Sequence, residues 1–507
     1  MESFAVVWSE SDHPPRAGKL ELGTAGLRFD GRQAQSVPYA DIESIHVGRD
    51  TKARIAGRPA LVLALALPPL VPDLPVAGQR ALLVMLIAIV LWTSERLEPG
   101  VTALLAVALL PLTGATTTMR AALQGFANPV PYFLVGVLTM GAAVVKSGLA
   151  ERLARTILER ARGRGLAVYV QLVLAFPVLT FVLPSATTRS GILIHIYDEV
   201  FALGRVPRGA DIAKAVMLAL SSINRLASTA LLTGGITPVM SAAIIGGISW
   251  TGWLTLMAVP YWVILVLGGL LIAIRYRRGF SRDLPLPERQ PRRPIGGVEW
   301  RTLAIILGAS ALWLTDPVHH LDPAIPALLA FAALLTPGIG PLRWGDLERG
   351  VGWANFFVIG ASISLAHALD TSGAAPWLGR VLVGGLPGLS RTAIGTIVFL
   401  LLGSTLVRAL VPNISAFLAL ALPIAMSVGR EAGLNPVVCA LAVMMTGDAV
   451  VYYPAQSSSA LVIYERGHVS AGEIFRFGLW MTLLGWVTVL LVALPWWSLV
   501  GQSLVQR

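Results

Sequence analysis

Long runs without a single charged residue dominate this chain: residues 81–90, 101–112 and 483–492 carry none. A helix needs ~20 mostly apolar residues to cross the hydrocarbon core of a bilayer. Segments of that kind recur from about residue 58 to residue 499. Inside lipid each backbone N–H and C=O must find its partner within the chain, so such segments are helical. Composition agrees, with 55% of the residues hydrophobic and 13% charged, against about a quarter charged in soluble domains. The fold class these features predict is an all-α polytopic membrane protein.

Four regions are expected. Residues 1–55 alternate apolar and polar positions, as in Lys19-Leu20-Glu21-Leu22, Leu27-Arg28-Phe29 and Ile42-Glu43-Ser44-Ile45, and predict a small cytosolic β-rich appendage. A first transmembrane half covers 58–274, with crossings at about 58–72, 79–94, 98–115, 129–149, 212–249 and 252–274. A basic linker follows at 275–298, and a second half spans 299–500, with crossings at 299–314, 322–338, 352–371, 434–463 and 474–499. Two further apolar stretches, 167–201 and 391–427, are broken in the middle by polar clusters and are read as re-entrant hairpins.

The net charge of +11 reports topology and not nucleic acid, because the basic residues lie in connections between apolar segments. With the N-terminus inside, connections 150–166, 202–214 and 275–301 hold 5, 3 and 8 Lys or Arg, whereas the outside connections together hold four. That bias matches the positive-inside rule, and it places the C-terminus outside a plasma (inner) membrane. Cys439 is the one cysteine, so no internal disulfide or multi-cysteine metal site can form. No Walker A element appears, which argues against a primary pump, and no hydrolase or zinc-protease motif points to an enzyme.

An internal repeat is visible. Leu91-Trp92-Thr93 with Leu97-Glu98-Pro99 recurs as Leu312-Trp313-Leu314 with Leu321-Asp322-Pro323. Lys146-Ser147-Gly148-Leu149-Ala150 recurs as Thr371-Ser372-Gly373-Ala374-Ala375, and Leu183-Pro184-Ser185 as Val411-Pro412-Asn413. The offsets, 221, 225 and 228 residues, are nearly constant. About five crossings and one hairpin per half make the halves inverted, an arrangement that secondary transporters use to build a site at the bilayer midplane.

These motifs, together with Leu91-Trp92-Thr93-Ser94-Glu95 and Pro454-Ala455-Gln456-Ser457-Ser458-Ser459, resemble the divalent anion/sodium symporter family of the ion-transporter superfamily over about residues 58–500. The resemblance implies a homodimer working by an elevator motion. It also implies hairpin tips that bind the carboxylates of succinate-like di- or tricarboxylates and help form two Na⁺ sites. This chain departs from the family's Ser-Asn-Thr tips: Ser185-Ala186-Thr187 lacks the Asn, and Pro412-Asn413-Ile414 keeps only the Asn.

The residues themselves suit an anion. The first N–H groups of a hairpin's second leg lack helical partners and carry partial positive charge. Ser185 and Asn413 are N-cap types, and Thr187, Thr188 and Ser415 add hydroxyls, so these residues form the expected substrate site. Arg189, one turn beyond Ser185, is expected to supply fixed positive charge to the cargo, partly replacing sodium. Breaks at 233–238 and 454–459 free carbonyls that with hydroxyls suit Na⁺. The candidate ligands are Ser185, Gly234, Thr237, Asn413, Ser457 and Ser459, and no other cofactor is expected. Arg225, Arg408 and Asp448 also sit among apolar residues, where a charge costs at least ~2.5–3.5 kcal/mol and marks a pathway or a pair. Arg408 with Asp448 is the expected structural ion pair. Lys146 is expected to snorkel to the membrane surface.

The leading expectation is secondary transport of a small anion, by Na⁺-coupled symport or by exchange. Sulfate or another oxyanion is an alternative cargo. A cation/proton antiporter and a membrane-anchored sensor using the β appendage are the other readings.

Overall fold

The computed structural model describes the backbone of four strands within residues 3–38 and residues 73–505, apart from 95, 161–162, 184, 286–293, 351 and 385–391. Two compact units emerge, Met1–Arg58 and Pro59–Arg507. In the first, β1 (Ser3–Trp8), β2 (Arg16–Leu22), β3 (Gly26–Asp30) and β4 (Gln35–Pro38) form an antiparallel meander. Its register pairs Phe4 with Leu20 and Leu20 with Phe29. The expected crossing at 58–72 and the Ile42–Ile45 run lie outside the described residues.

The second unit is helical. Its first half contains α1 (Val76–Ser94), α2 (Pro99–Thr113), α3 (Val130–Lys146), α4 (Leu149–Arg160), α5 (Gly165–Val182) and α6 (Ala186–Leu203). Then come α7 (Asp211–Leu218), α8 (Asn224–Thr229), α9 (Ile236–Ile245) and α10 (Trp250–Arg275). The second half has α11 (Gly297–Leu314), α12 (Ala324–Leu335), α13 (Trp353–Thr371), α14 (Ala374–Gly384), α15 (Ala393–Leu410) and α16 (Ile414–Glu431). It closes with α17 (Pro436–Asp448), α18 (Ser458–Tyr464), α19 (Ala471–Thr488) and α20 (Leu494–Leu499).

Among the described residues seven helical segments are long and apolar enough to cross a membrane, α5, α15 and α16 among them. The stretch expected as one crossing at 212–249 is segmented. A π-turn at Ala219–Ile223 joins α7 to α8, and a 3₁₀ turn at Leu232–Gly234 precedes α9. The extra residue of a π-turn relieves the helical ladder locally and is common at functional sites. The stretch 434–463 is likewise divided, between α17 and α18.

Two helices escaped the sequence reading. α3 turns into α4 with a 71° bend, and Gly148 at the corner has φ +85°. Gly373, at the corner before α14, has φ +81°. That backbone is open to glycine at no steric cost, which is why the Ser-Gly pair recurs in both halves. α4 is amphipathic: Leu149, Ala150, Ala154 and Leu158 are buried. Its polar face ties to other helices through Arg152–Glu299 (3.1 Å) and Arg155–Glu199 (3.9 Å). Lys146 forms an ion pair with Asp346 instead of snorkelling free.

The repeated Leu-Trp and acidic-Pro motifs make the same bond in each half. Trp92 donates its indole N–H to the Pro99 carbonyl (3.1 Å), and Trp313 donates to the Pro323 carbonyl (2.9 Å). Each bond closes the turn between a helix and its successor. α2 packs on α1 and α13, while α12 packs on α3 and α11.

Candidate functional site

The helical run is interrupted twice, between α5 and α6 and, at 411–413, between α15 and α16. Proline in each break has no N–H to donate and disfavours helix at the residue before it. Each second leg then restarts on a side-chain cap. Ser185 Oγ accepts from the Thr188 N–H (3.2 Å). Asn413 Oδ1 accepts from the Ser415 and Ala416 N–H groups (2.9 and 3.1 Å). The caps consume part of the donor set at each helix start. The Ala186, Thr187 and Ile414 N–H groups have no such partner among the described residues.

Both breaks border one cavity of about 950 Å³. Ser185, Thr187 and Thr188 from the first tip and Asn413 and Ser415 from the second line it together. The interrupted segments after α8 and α17 contribute Thr233, Gly234, Thr237, Asp448, Ser457 and Ser459. Of the residues expected in the substrate and sodium sites, Arg189 alone does not line this cavity.

Arg189 instead lies behind the first tip, fully buried. Its guanidinium donates to the Leu183 carbonyl, to Asn224 through both Oδ1 (2.9 Å) and the carbonyl (3.0 Å), and to Ser228 Oγ. Asn224 returns bonds to the Ala186 carbonyl and Ser190 Oγ (2.9 Å each). Arg189 thus places its expected positive charge behind the tip and not on the cavity surface, with the planar fork of its donors on the Leu183 and Asn224 carbonyls.

Arg408 does the same at the second tip. It is fully buried and donates to the carbonyls of Val411 (2.6 Å), Pro412 (2.8 Å) and Gly447 (3.1 Å). Leu183 and Val411 are the matching residues of the two repeats, so each tip is held by an arginine on the carbonyl before its proline. The arginines come from opposite legs, Arg189 from α6 and Arg408 from α15.

Asp448 pairs with Arg225 (3.3 Å) and not with Arg408, as the sequence had suggested. The Asp448 carboxylate also accepts from Thr229 (2.8 Å), Thr237 (3.1 Å) and Tyr261 (3.2 Å). Arg225 reaches on to the carbonyls of Asp448 and Val450. A single carboxylate of the second half is thus held by four side chains of the first. Arg225 and Asp448 both line the cavity.

The possible sodium ligands are largely occupied within the protein. Thr237 donates to Asp448 (3.1 Å), Ser457 and Ser459 bond each other (2.9 Å), and Ser185 and Asn413 serve as caps. Gly234 is wedged so closely that a Cβ there would stand 1.6 Å from the Ser228 carbonyl oxygen. No cluster of three or more His, Cys, Asp or Glu suited to a metal occurs among the described residues.

Residues 54–503 match the family model described as the sodium:sulfate symporter transmembrane region. A protein of Cupriavidus necator named only "membrane protein" is 25% identical, over 87% of this chain and 91% of its own length. The L-tartrate/succinate antiporter of Escherichia coli strain K12 is 22% identical, over 75% of this chain and 80% of its own. Among solved structures, the YdaH transporter of Alcanivorax borkumensis gives a TM-score of 0.46 at 17% identity, covering 75% of this chain and 88% of that one.

Proposed function

Since the chain belongs to the sodium:sulfate symporter family, transporters of anions and not enzymes, we propose that it exchanges small dianions across the membrane, dicarboxylates first among them, without needing Na⁺. The observation that carries this reading is the set of arginines around the two breaks. Carbonyls freed by an interrupted helix are natural sodium ligands. Here those of Leu183, Asn224, Val411, Pro412, Gly447, Asp448 and Val450 already accept from Arg189, Arg408 or Arg225. A guanidinium is always charged, so it does the electrostatic work of a bound cation permanently.

The charge balance fits a dianion. Three arginines against one Asp448 leave a buried net charge of 3 − 1 = +2. An empty +2 site in a low-dielectric surround is costly to carry through the bilayer, whereas a dianion neutralises it. That asymmetry favours obligatory exchange, in which the site moves only when loaded. The names of the tartrate/succinate relatives point the same way. Sulfate is the second reading, on the description of the family model and the same charge.

The two repeats, their matching Trp–Pro carbonyl bonds and their paired broken helices support an inverted repeat, with the tips as re-entrant hairpins. An elevator motion and a homodimer are part of the same proposal. On the positive-inside reading the exposed lining residues Leu97, Glu98, Pro99, Gly350 and Gly352 lie on the cytoplasmic side, so the cavity is read as open to the cytoplasm. The Asp448 carboxylate is committed to four side chains of the first half.

Proteoliposomes should take up labelled succinate only against internal dicarboxylate, with at least a tenfold drop when the lumen holds chloride alone. Replacing Na⁺ by K⁺ should alter the rate less than twofold. Uptake that needs a sodium gradient and no internal anion would refute the exchange reading. Deleting residues 1–55, which lie almost wholly outside the family match, should leave exchange in place. Loss of exchange in that truncated chain, with the protein still folded, would assign the sheet a direct role.

A further inference from the structure

Beside the two tips, the cavity is lined by the α1–α2 turn and by α3 and α13, a stretch of lining that is largely apolar, with Leu134, Val137, Leu138 and Val358. Among its polar side chains, the Trp92 indole is committed to the Pro99 carbonyl. Glu98 is exposed and bears the wrong charge for an anion. Asn355, in the first turn of α13, is half-buried. Its backbone N–H donates to the Gly352 carbonyl (2.9 Å), and a Cβ at position 352 would come within 3.1 Å of its Nδ2. Glycine at 352 therefore leaves the amide its space. Among the described residues the Asn355 amide has no hydrogen-bond partner. An amide on an apolar wall costs free energy unless water or a ligand bonds it.

Resting on the dicarboxylate reading, we propose that Asn355 is a specificity residue: its amide hydrogen-bonds a hydroxyl on the carbon chain of the cargo and so favours 2-hydroxy dicarboxylates over unsubstituted ones. The tips offer N–H groups and positive charge, which suit the two carboxylates. The carbon chain between those carboxylates is then left to the rest of the lining, where Asn355 lies. An amide both donates and accepts, as a hydroxyl requires. An apolar wall alone discriminates poorly against an added hydroxyl, whereas a site built to bond one rejects the analogue lacking it.

The contact is also one-sided. α13 packs most extensively on α2 and also on α16; on the elevator reading of the proposed function the tips move relative to it, so Asn355 meets cargo only while the tips face it. Its influence belongs to the side of the membrane on which this cavity opens.

The test uses the full chain in liposomes, sorted by orientation, with L-tartrate and succinate as probes. For Asn355→Ala, the ratio of the tartrate KM to the succinate KM should rise about tenfold at the cytoplasmic face and less than twofold at the other. Asn355→Leu keeps the volume without the amide and should give the same result, so the measurement survives poor folding of the alanine variant. An unchanged ratio, or an equal rise at both faces, overturns the assignment. Wild-type protein that exchanges neither acid would remove the dicarboxylate reading itself.

Discussion

Asp448→Asn should cost at least ~100-fold in exchange rate and lower the thermal stability of the purified protein. The carboxylate is 2% exposed and its partner Arg225 12%, so the neutral amide leaves a guanidinium largely buried without a counter-charge. Removing one partner of a buried pair costs about 3–5 kcal/mol, because the remaining charge is uncompensated. An asparagine can still accept from Thr229, Thr237 or Tyr261, which now bond the carboxylate, but it cannot accept from all of them and Arg225 together. The site charge also climbs from +2 to +3, a mismatch for a dianion.

Arg225→Gln alone should be similarly damaging, since it strands the carboxylate. The double variant should be better than either, because it removes both charges and restores the balance at 2 − 0 = +2. Coupling of that size is what a contacting, buried pair gives in a double-mutant cycle. Melting temperature and exchange rate of the four proteins provide the cycle. Losses that simply add would mean that Arg225 and Asp448 act independently, against the reading of a bolt between the halves.

How much of this could be read from the chain differs between the breaks and the charges. The breaks were legible because local chemistry fixes them: a proline followed by a cap residue inside an apolar run stops one helix and starts another, and Ser185 and Asn413 do cap. Charge partners were not, because they are set by packing between segments far apart in sequence. Arg225 and Asp448 are separated by 223 positions, and Arg408 was the nearer candidate along the chain. The placement of Arg189 on the cap-bearing face of α6 likewise said nothing about which way a long, flexible side chain would turn. α4 was hidden by its charges, which made it read as a loop, although Leu149, Ala150, Ala154 and Leu158 follow a helical spacing. Asn355 gave no sequence signal beyond lying near the start of a crossing. Its significance arises only once it is seen to line one cavity with Leu134, Val137 and Val358.

Arg408→Gln should convert a sodium-indifferent exchanger into one that Na⁺ stimulates. The arginine satisfies the carbonyls of Val411, Pro412 and Gly447 and supplies half of the buried +2. Glutamine is shorter and neutral, and it reaches at most part of that set. Each buried acceptor left open costs about 1–3 kcal/mol, so exchange in K⁺ should fall on the order of 100-fold, equivalent to about 2.7 kcal/mol. Oxygen-rich, irregular backbone carrying a deficit of one positive charge is the environment in which a small hard cation binds. Added Na⁺ should therefore recover about tenfold of the lost rate, whereas K⁺ and choline should not. Arg408→Lys keeps the charge but loses the planar fork that engages several carbonyls at once, and it should be damaged with no response to Na⁺. The contrast between the two variants separates charge from geometry. If glutamine and lysine variants respond to Na⁺ alike, or neither responds while both remain folded, then the guanidinium is not standing where a cation would bind.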